Sequence, residues 1–213
     1  MDEFTRPVIL LAFANAVEQP LPKLMEEERG LRQILEQAAA HPLSDGRIGL
    51  CEPVILSRAT TADILDAFQK YRNRIAIFHY AGHANGYALL LESATGAPAL
   101  ADADGLAGFL AQQTGLELVF LNGCATQDQA QGLLEAGVEV VIATAQEIKD
   151  TVARDFALRF YQGLVSNAAI LTAFNEAESG ITTVYGDGVR HLYTTAAARR
   201  KKNPPAGSPW KIF

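Results

Sequence analysis

The sequence predicts an α/β fold in which a mostly parallel central sheet carries helices on both faces. Short apolar runs without interruption, such as residues 8–13 and 75–80, are typical of strands that are buried on both faces. Between these runs, apolar residues recur at the spacing of a helical face. Because strands and helices alternate along the chain, the crossovers should be parallel, and the expected architecture is a three-layer α-β-α sandwich.

The individual elements follow from local signals in the same way. Thr60 and Asp63 resemble a capping box at the start of the second helix, and glycines at 115, 137 and 180 end three later helices. In chain order we predict strand 8–13, helix 24–40, a strand 48–56 bent at Pro53, helix 60–71, strand 75–80, a hairpin arm 87–91, helix 106–113, strand 116–121, helix 129–135, strand 138–143, and helices 150–164 and 168–178.

Length and composition favour one soluble domain that spans residues 1–213. Hydrophobic residues make up 49% of the chain and charged residues 20%, which are ordinary globular values. Two cysteines cannot form a disulfide framework, and no signal peptide or transmembrane run is present. We therefore expect a cytoplasmic protein without a membrane partner.

The charge of the chain is unevenly distributed. The net charge is −6, so nucleic acid is not an expected direct partner. Residues 188–213 nevertheless form a basic tail with prolines and glycines, in which residues 199–202 are interpreted as a solvated charge run. Residues 210–213 (WKIF) predict a short strand or docking peptide, and the tail is a candidate join to further domains.

Reactive side chains follow two of the predicted parallel strands. The third strand continues into residues 79–86 (HYAGHANG), and the fourth continues into residues 121–126 (LNGCAT). Because the carboxyl ends of parallel strands share one edge, a histidine and a cysteine should face one cleft. Such a pair suits nucleophilic cysteine catalysis, although a cysteine after a strand is often a small buried hydrophobe.

These two loops resemble those of a known family. Residues 78–84 (FHYAGHA) are similar to the histidine loop of caspase-like peptidases, and residues 121–126 are similar to their cysteine loop. The closest branch is the CHAT domain, a bacterial caspase-like domain related to separase. Residues 133–144 and 147–150 also resemble that branch, and the resemblance extends from residue 8 to residue 213.

The resemblance implies a cysteine endopeptidase that needs no cofactor and acts on protein substrates. Motif matching makes Cys124 the nucleophile and His83 the general base and acid, with the backbone N–H groups of Ala84 and Cys124 around the oxyanion. His79 lies inside the apolar run and is interpreted as a structural residue that orients the loop. CHAT domains usually belong to larger signalling or defence proteins, so an activating sensor protein or domain is an expected partner.

Substrate selection is assigned to two residues. Asn122 occupies the position at which caspases carry a P1-pocket residue, and Asp150 matches a recurring acid of the CHAT branch. Asp150 can line a pocket for a basic side chain, but an acid at the start of a helix is also favoured by the helix dipole.

Three other interpretations remain. The pair His79 and His83 has zinc-like spacing, but it lies across a strand and a loop with no third ligand evident, so no metal site is predicted. A catalytically silent scaffold of the same fold is the main alternative. A nucleotide-binding fold is disfavoured because residues 11–15 (LAFAN) contain no glycine.

Overall fold

The strands of this chain form a central sheet and a separate hairpin. The computed structural model describes residues 6–15, 20–40, 48–189 and 192–197. The strands within these ranges are β1 (Val8–Ala14), β2 (Glu52–Ser57), β3 (Ile75–Gly82), β4 (Ala88–Glu92), β5 (Pro98–Asp102), β6 (Leu118–Asn122), β7 (Val140–Thr144) and β8 (Tyr193–Ala197). The order in the central sheet is β2–β1–β3–β6–β7–β8, while β4 and β5 pair with each other. The first five strands of the central sheet are parallel and β8 is antiparallel to β7.

Helices cover both faces of the sheet, as the alternation of elements predicts. They are α1 (Leu24–Ala40), α2 (Thr61–Lys70), α3 (Ala103–Leu110), α4 (Gln127–Glu135), α5 (Asp150–Val165) and α6 (Ile170–Tyr185). Helices α1, α5 and α6 pack on one face, and α2, α3 and α4 pack on the other. The predicted three-layer α/β architecture is therefore confirmed.

The core consists of two apolar layers that share the strands. In β1, Ile9 and Leu11 contribute to the layer under α1, α5 and α6, whereas Leu10 and Ala12 contribute to the opposite layer. Every residue of β1 is buried. This double burial explains why β1 is a continuous apolar run and not an alternating one.

The capping box at the start of α2 is also present. The Thr60 hydroxyl accepts a hydrogen bond from the Asp63 backbone N–H at 3.1 Å, and the Asp63 carboxylate accepts one from the Thr60 N–H at 3.0 Å. These bonds satisfy two donors that the first helical turn leaves without partners.

The structure differs from the predicted elements at the second strand, at α6 and in two additional strands. Ile48–Leu50 is a 3-10 turn, and the second strand begins at Glu52, where its position at the sheet edge tolerates Pro53. Helix α6 continues through Gly180 to Tyr185. Strands β5 and β8 were not predicted: both have only five residues, and β5 (PALAD) contains no β-branched or aromatic residue.

Most of the predicted basic tail, including residues 199–202 and 210–213, lies outside the described residues. Among the helices that the structure describes, none has the length and apolar character needed to cross a lipid bilayer.

Candidate active site

The carboxyl ends of β3 and β6 lie side by side at the centre of the sheet. The two strands are parallel neighbours, and Ala81 pairs with Asn122 in their register. The loop after β3 contains His83, and the loop after β6 contains Cys124. Both residues line the same cleft at this edge of the sheet, where sequence analysis expects them.

The cleft is an open depression of about 340 Å³ of empty volume, part of it open to solvent. Its wall comes from the two strand ends, the start of α1 and the start of α5. It is lined by Leu21, Leu24, Glu27, Gly82, His83, Asn122, Gly123, Cys124, Ile148, Asp150 and Ala153. None of these described lining residues is a lysine or an arginine, whereas two are carboxylates.

Gly123 allows the histidine and cysteine loops to touch. A Cβ atom added at Gly123 would lie 2.7 Å from the Gly82 carbonyl oxygen and 2.8 Å from the Ala84 Cβ. Such distances are too short for a side chain, so only glycine permits this approach of the two backbones. The close contact keeps His83 and Cys124 on adjoining segments.

The cysteine loop is held from below by two buried threonines. Thr144 in β7 donates its hydroxyl proton to the Gly123 carbonyl, and Thr126 donates to the Leu121 carbonyl at 3.1 Å. Each threonine hydroxyl also accepts the backbone N–H of the other residue, at 2.9 and 3.2 Å. Cys124 follows the anchored Gly123 carbonyl directly; it is only partly buried, and its Sγ lies 4.0 Å from the Ile148 carbonyl oxygen.

The histidine loop is held by a tyrosine and a glutamine. The Tyr80 hydroxyl lies 2.5 Å from the His83 carbonyl oxygen and 2.8 Å from that of Leu90. Gln129 in α4 donates its amide to the Asn85 carbonyl at 2.5 Å. Burial raises the pKa of Tyr80, so its hydroxyl keeps the proton that it donates to this loop.

Ala84, the predicted oxyanion donor on the histidine side, forms an isolated antiparallel bridge with Leu89. Its φ angle is not positive, so an alanine fits this position without backbone strain. The backbone of Ala84 also lies beside Gly123, and it is thus next to the cysteine loop.

Asp150 lies both at the start of a helix and in the wall of the cleft, the two positions considered for it from the sequence. It is the first residue of α5, where a negative charge is favoured by the helix dipole, and it also lines the cleft. Its Oδ2 accepts a hydrogen bond from the Lys23 backbone N–H at 2.7 Å. This bond joins the segment before α1 to the start of α5 and closes one side of the cleft.

Asn122 lies at the floor of the cleft and is only 4% exposed. Its Oδ1 accepts a hydrogen bond from the Tyr193 hydroxyl at 2.5 Å. Its Nδ2 donates to Glu27 Oε1 at 2.8 Å and lies 3.3 Å from the Ala153 carbonyl oxygen. Both polar groups of this side chain therefore have protein partners.

His79 is fully buried and does not line the cleft. Its ring lies among aromatic residues, with a centroid distance of 4.6 Å to Phe120 and 5.6 Å to Tyr161. Its Nε2 is 3.2 Å from Glu27 Oε1. This position inside the core agrees with the interpretation of His79 as a structural residue.

Sequence analysis did not single out Glu27 or Tyr193. The helical pattern could have indicated Glu27, because this residue lies on the same helical face as Leu24, Leu31 and Leu35. All four side chains are buried. A carboxylate on an apolar face is unusual and indicates a specific role. For Tyr193 no local pattern exists, since its partner Asn122 is 71 residues away.

No cluster of three or more histidine, cysteine or acidic side chains with metal-binding geometry occurs among the residues described.

Similar proteins identify the fold. Gingipain R, an Arg-specific cysteine proteinase, matches with a TM-score of 0.62 at 12% identity over 92% of this chain and 49% of its own. A secreted C11 cysteine protease from Bacteroides thetaiotaomicron matches with a TM-score of 0.60 at 9% identity, over 90% of this chain and 66% of its own. Separase from Saccharomyces cerevisiae, in complex with securin, gives 0.54 at 13% identity, over 91% of this chain and 12% of its own. The fold is that of the caspase-like cysteine peptidases.

The CHAT domain model matches residues 3–193, and the chain therefore belongs to the CHAT domain family. This confirms the predicted resemblance to the CHAT branch. The chain spans about half the length of gingipain R. Comparison with curated protein sequences gave no match.

Proposed function

We propose that this chain is a cysteine endopeptidase with Cys124 as nucleophile and His83 as general base and acid. The observation that carries the proposal is the placement of both residues in one cleft, on loops that touch at Gly123. Membership of the CHAT domain family supports the same chemistry. Cys124 is partly exposed, as a nucleophile that must reach a peptide bond has to be.

In the proposed reaction, His83 accepts the proton of the Cys124 thiol, and the sulfur attacks the carbonyl carbon of the scissile peptide bond. The resulting oxyanion is stabilised by the backbone N–H groups of Ala84 and Cys124. The C–N bond then breaks, and His83 gives its proton to the departing amine. Water, deprotonated by His83, hydrolyses the thioester and releases the carboxylic acid and the free thiol.

The charge of the cleft favours a basic P1 side chain. Asp150 and Glu27 line the cleft, and no described lysine or arginine lines it with them. Oδ1 of Asp150 accepts no hydrogen bond from the described residues, which leaves an acceptor for a guanidinium or ammonium group. Gingipain R, which has a similar fold, is specific for arginine. We therefore propose cleavage after arginine or lysine, with Asp150 as the P1 ligand.

We also propose that a partner or sensor controls this activity, in bacterial signalling or defence within the cytoplasm. The proposal rests on the family, whose members usually work as parts of larger proteins. It has a direct consequence, because a peptidase under such control need not cleave until its activator is present.

Cleavage of a complex peptide mixture, read by mass spectrometry, tests the proposal. Wild type should produce new termini after arginine and lysine, and Cys124→Ala should produce none. Cys51→Ala is the matched control and should cleave like wild type, because Cys51 is buried in the core away from the cleft. Cuts that persist in Cys124→Ala would exclude Cys124 as the nucleophile.

Thiol alkylation distinguishes a peptidase that awaits its activator from the alternative, a silent scaffold. Burial raises the pKa of Cys51 to about 12, so at pH 7 to 8 this thiol remains protonated and iodoacetamide should label Cys124 alone. In a peptidase, His83→Ala should slow the labelling of Cys124 by about tenfold or more. A labelling rate that is the same in His83→Ala, together with no cleavage, would favour the scaffold.

A further inference from the structure

One carboxylate oxygen contacts both strands that carry the proposed catalytic pair. Oε1 of Glu27 lies 2.8 Å from Asn122 Nδ2 and 3.2 Å from His79 Nε2. Asn122 is the last residue of β6, two positions before Cys124, and His79 lies in β3, four positions before His83. Glu27 thus connects the two strands near the point where their loops begin.

The donors and acceptors around Glu27 form one consistent arrangement. The Tyr193 hydroxyl donates to Asn122 Oδ1 at 2.5 Å, so the other end of the amide, Nδ2, donates to Glu27. Burial and the charges of Glu27 and Cys124 raise the pKa of Tyr193, and its hydroxyl therefore retains its proton. His79 Nε2 is the second donor to the carboxylate in the tautomer that carries the ring proton on Nε2, whereas its Nδ1 is buried without a hydrogen-bond partner among the described residues.

Burial makes the presence of this carboxylate costly. Glu27 is 1% exposed, and the structure shows no lysine or arginine paired with it within the described ranges. A buried carboxylate without such a partner lowers stability unless hydrogen bonds compensate for its lost hydration. The neighbouring Glu28 shows the ordinary alternative, since it pairs with Arg32 at the surface of the same helix.

We propose that Glu27 is a positioning residue of the active site, which aligns β3 and β6 so that His83 and Cys124 face each other. Tyr193 completes the arrangement by orienting the Asn122 amide toward Glu27. In this role both polar ends of the Asn122 side chain form hydrogen bonds within the protein and do not bind the substrate. The inference rests on the proposed peptidase function.

Steady-state kinetics of Glu27 variants on an arginine peptide tests the proposal. Displacement of a catalytic group by about 1 Å can lower the rate 100-fold, so Glu27→Ala should lower kcat about 100-fold while KM changes less than about threefold. Glu27→Gln keeps an oxygen that can accept both hydrogen bonds and should restore kcat to within about fivefold of wild type. Glu28→Gln is the control on the same helix and should leave both constants unchanged.

Tyr193→Phe provides a second test that removes a single oxygen atom, for the case in which Glu27→Ala does not fold. It should lower kcat about tenfold, and Tyr185→Phe, on an exposed tyrosine, should have no effect. A wild-type kcat in Glu27→Ala or in Tyr193→Phe would overturn the proposal. A loss of kcat in Glu27→Gln as large as that in Glu27→Ala would also overturn the proposal. In that case catalysis would need the negative charge of Glu27, and not only an acceptor oxygen at its position.

The outcomes separate this proposal from the proposed function. If wild type cleaves and Glu27→Ala cleaves equally well, the peptidase stands and the positioning role is wrong. If wild type gives no cuts beyond those of Cys124→Ala, and His83→Ala does not change the alkylation of Cys124, the peptidase itself is wrong and the positioning role falls with it.

Discussion

Asn122 shows how a single side chain can be assigned two roles that differ in chemistry. The resemblance to the caspase-like family predicts a role for it in the P1 pocket, and it lines the cleft. Its hydrogen bonds, however, are directed to Tyr193, Glu27 and Ala153. An amide with all of these partners has little capacity left for a substrate, so substitution at this position should distinguish the two roles.

Asn122→Asp makes this distinction. A carboxylate at this position would replace the donor that now lies 2.8 Å from Glu27 Oε1, and two like charges at this distance repel each other. If Asn122 positions the cysteine loop, kcat/KM should fall about tenfold or more for every P1 residue tested. Peptides with arginine, methionine and aspartate at P1 provide the measurement.

The control for this variant is Asn167→Asp, at an exposed turn after α5, which should behave like wild type. A higher kcat/KM for the arginine peptide in Asn122→Asp would instead show that residue 122 binds the P1 side chain.

At the scale of elements, glycines decide how closely segments approach. Gly180 predicts the end of a helix, yet α6 continues through it, and there it packs against the flexible side chain of Arg159 in α5. Gly163 in α5 is similar, since a Cβ there would lie 2.9 Å from the Ala173 Cβ in α6. The helix ends at Gly186, whose φ angle of 80° suits glycine. Local sequence cannot separate a glycine that ends a helix from one that permits packing.

Gly123→Ala tests such an approach at the active site. The added methyl would lie 2.7 Å from the Gly82 carbonyl oxygen, which is backbone and cannot rotate away. The two loops must separate, and we expect kcat/KM to fall about 100-fold, with a loss of about 1–3 kcal/mol in the free energy of unfolding. Peptide kinetics and urea denaturation measure the two effects.

Gly132→Ala is the matched control for this change. Gly132 lies in α4 with no atom within 4 Å of an added Cβ, so alanine should stabilise the helix by about 0.5–1 kcal/mol and leave activity unchanged. Activity of the Gly123→Ala variant equal to that of wild type would mean that the two loops need not touch for catalysis.

At the scale of the whole molecule, the antiparallel strand β8 completes the sheet and reaches the cleft floor. Tyr193 at its start is 3% exposed and stacks on Phe156 in α5, with ring centroids 3.7 Å apart. The same side chain contacts Asn122 through its hydroxyl. The edge of the sheet and the proposed active site therefore share one residue.

Tyr193→Ala should consequently destabilise the whole fold. Removal of a large buried aromatic side chain leaves a cavity, and we expect a loss of about 3–5 kcal/mol in the free energy of unfolding. Urea denaturation followed by circular dichroism measures this loss. Tyr185→Ala, on an exposed residue, should cost less than about 1 kcal/mol. A similarly small cost for Tyr193→Ala would contradict the packing of β8 on α5.

The sequence by itself determined the α/β class and predicted that the two proposed catalytic residues follow neighbouring strands. Both follow from local patterns, because burial on two faces produces continuous apolar strands, and parallel strands bring their following loops to one edge. The strand ends predicted a histidine and a cysteine at one cleft, and the resemblance of the two loops to the caspase-like family then selected His83 and Cys124 as the proposed pair.

Only the tertiary structure decided how this edge is held together. Glu27 and Asn122 are 95 residues apart in sequence, and Tyr193 and Asn122 are 71 residues apart. No periodicity within a helix or strand encodes hydrogen bonds over such separations, because they depend on which elements the folded core brings into contact. The same reason explains Gly123 and Gly163, each of which fits against a neighbouring segment that is known only after folding.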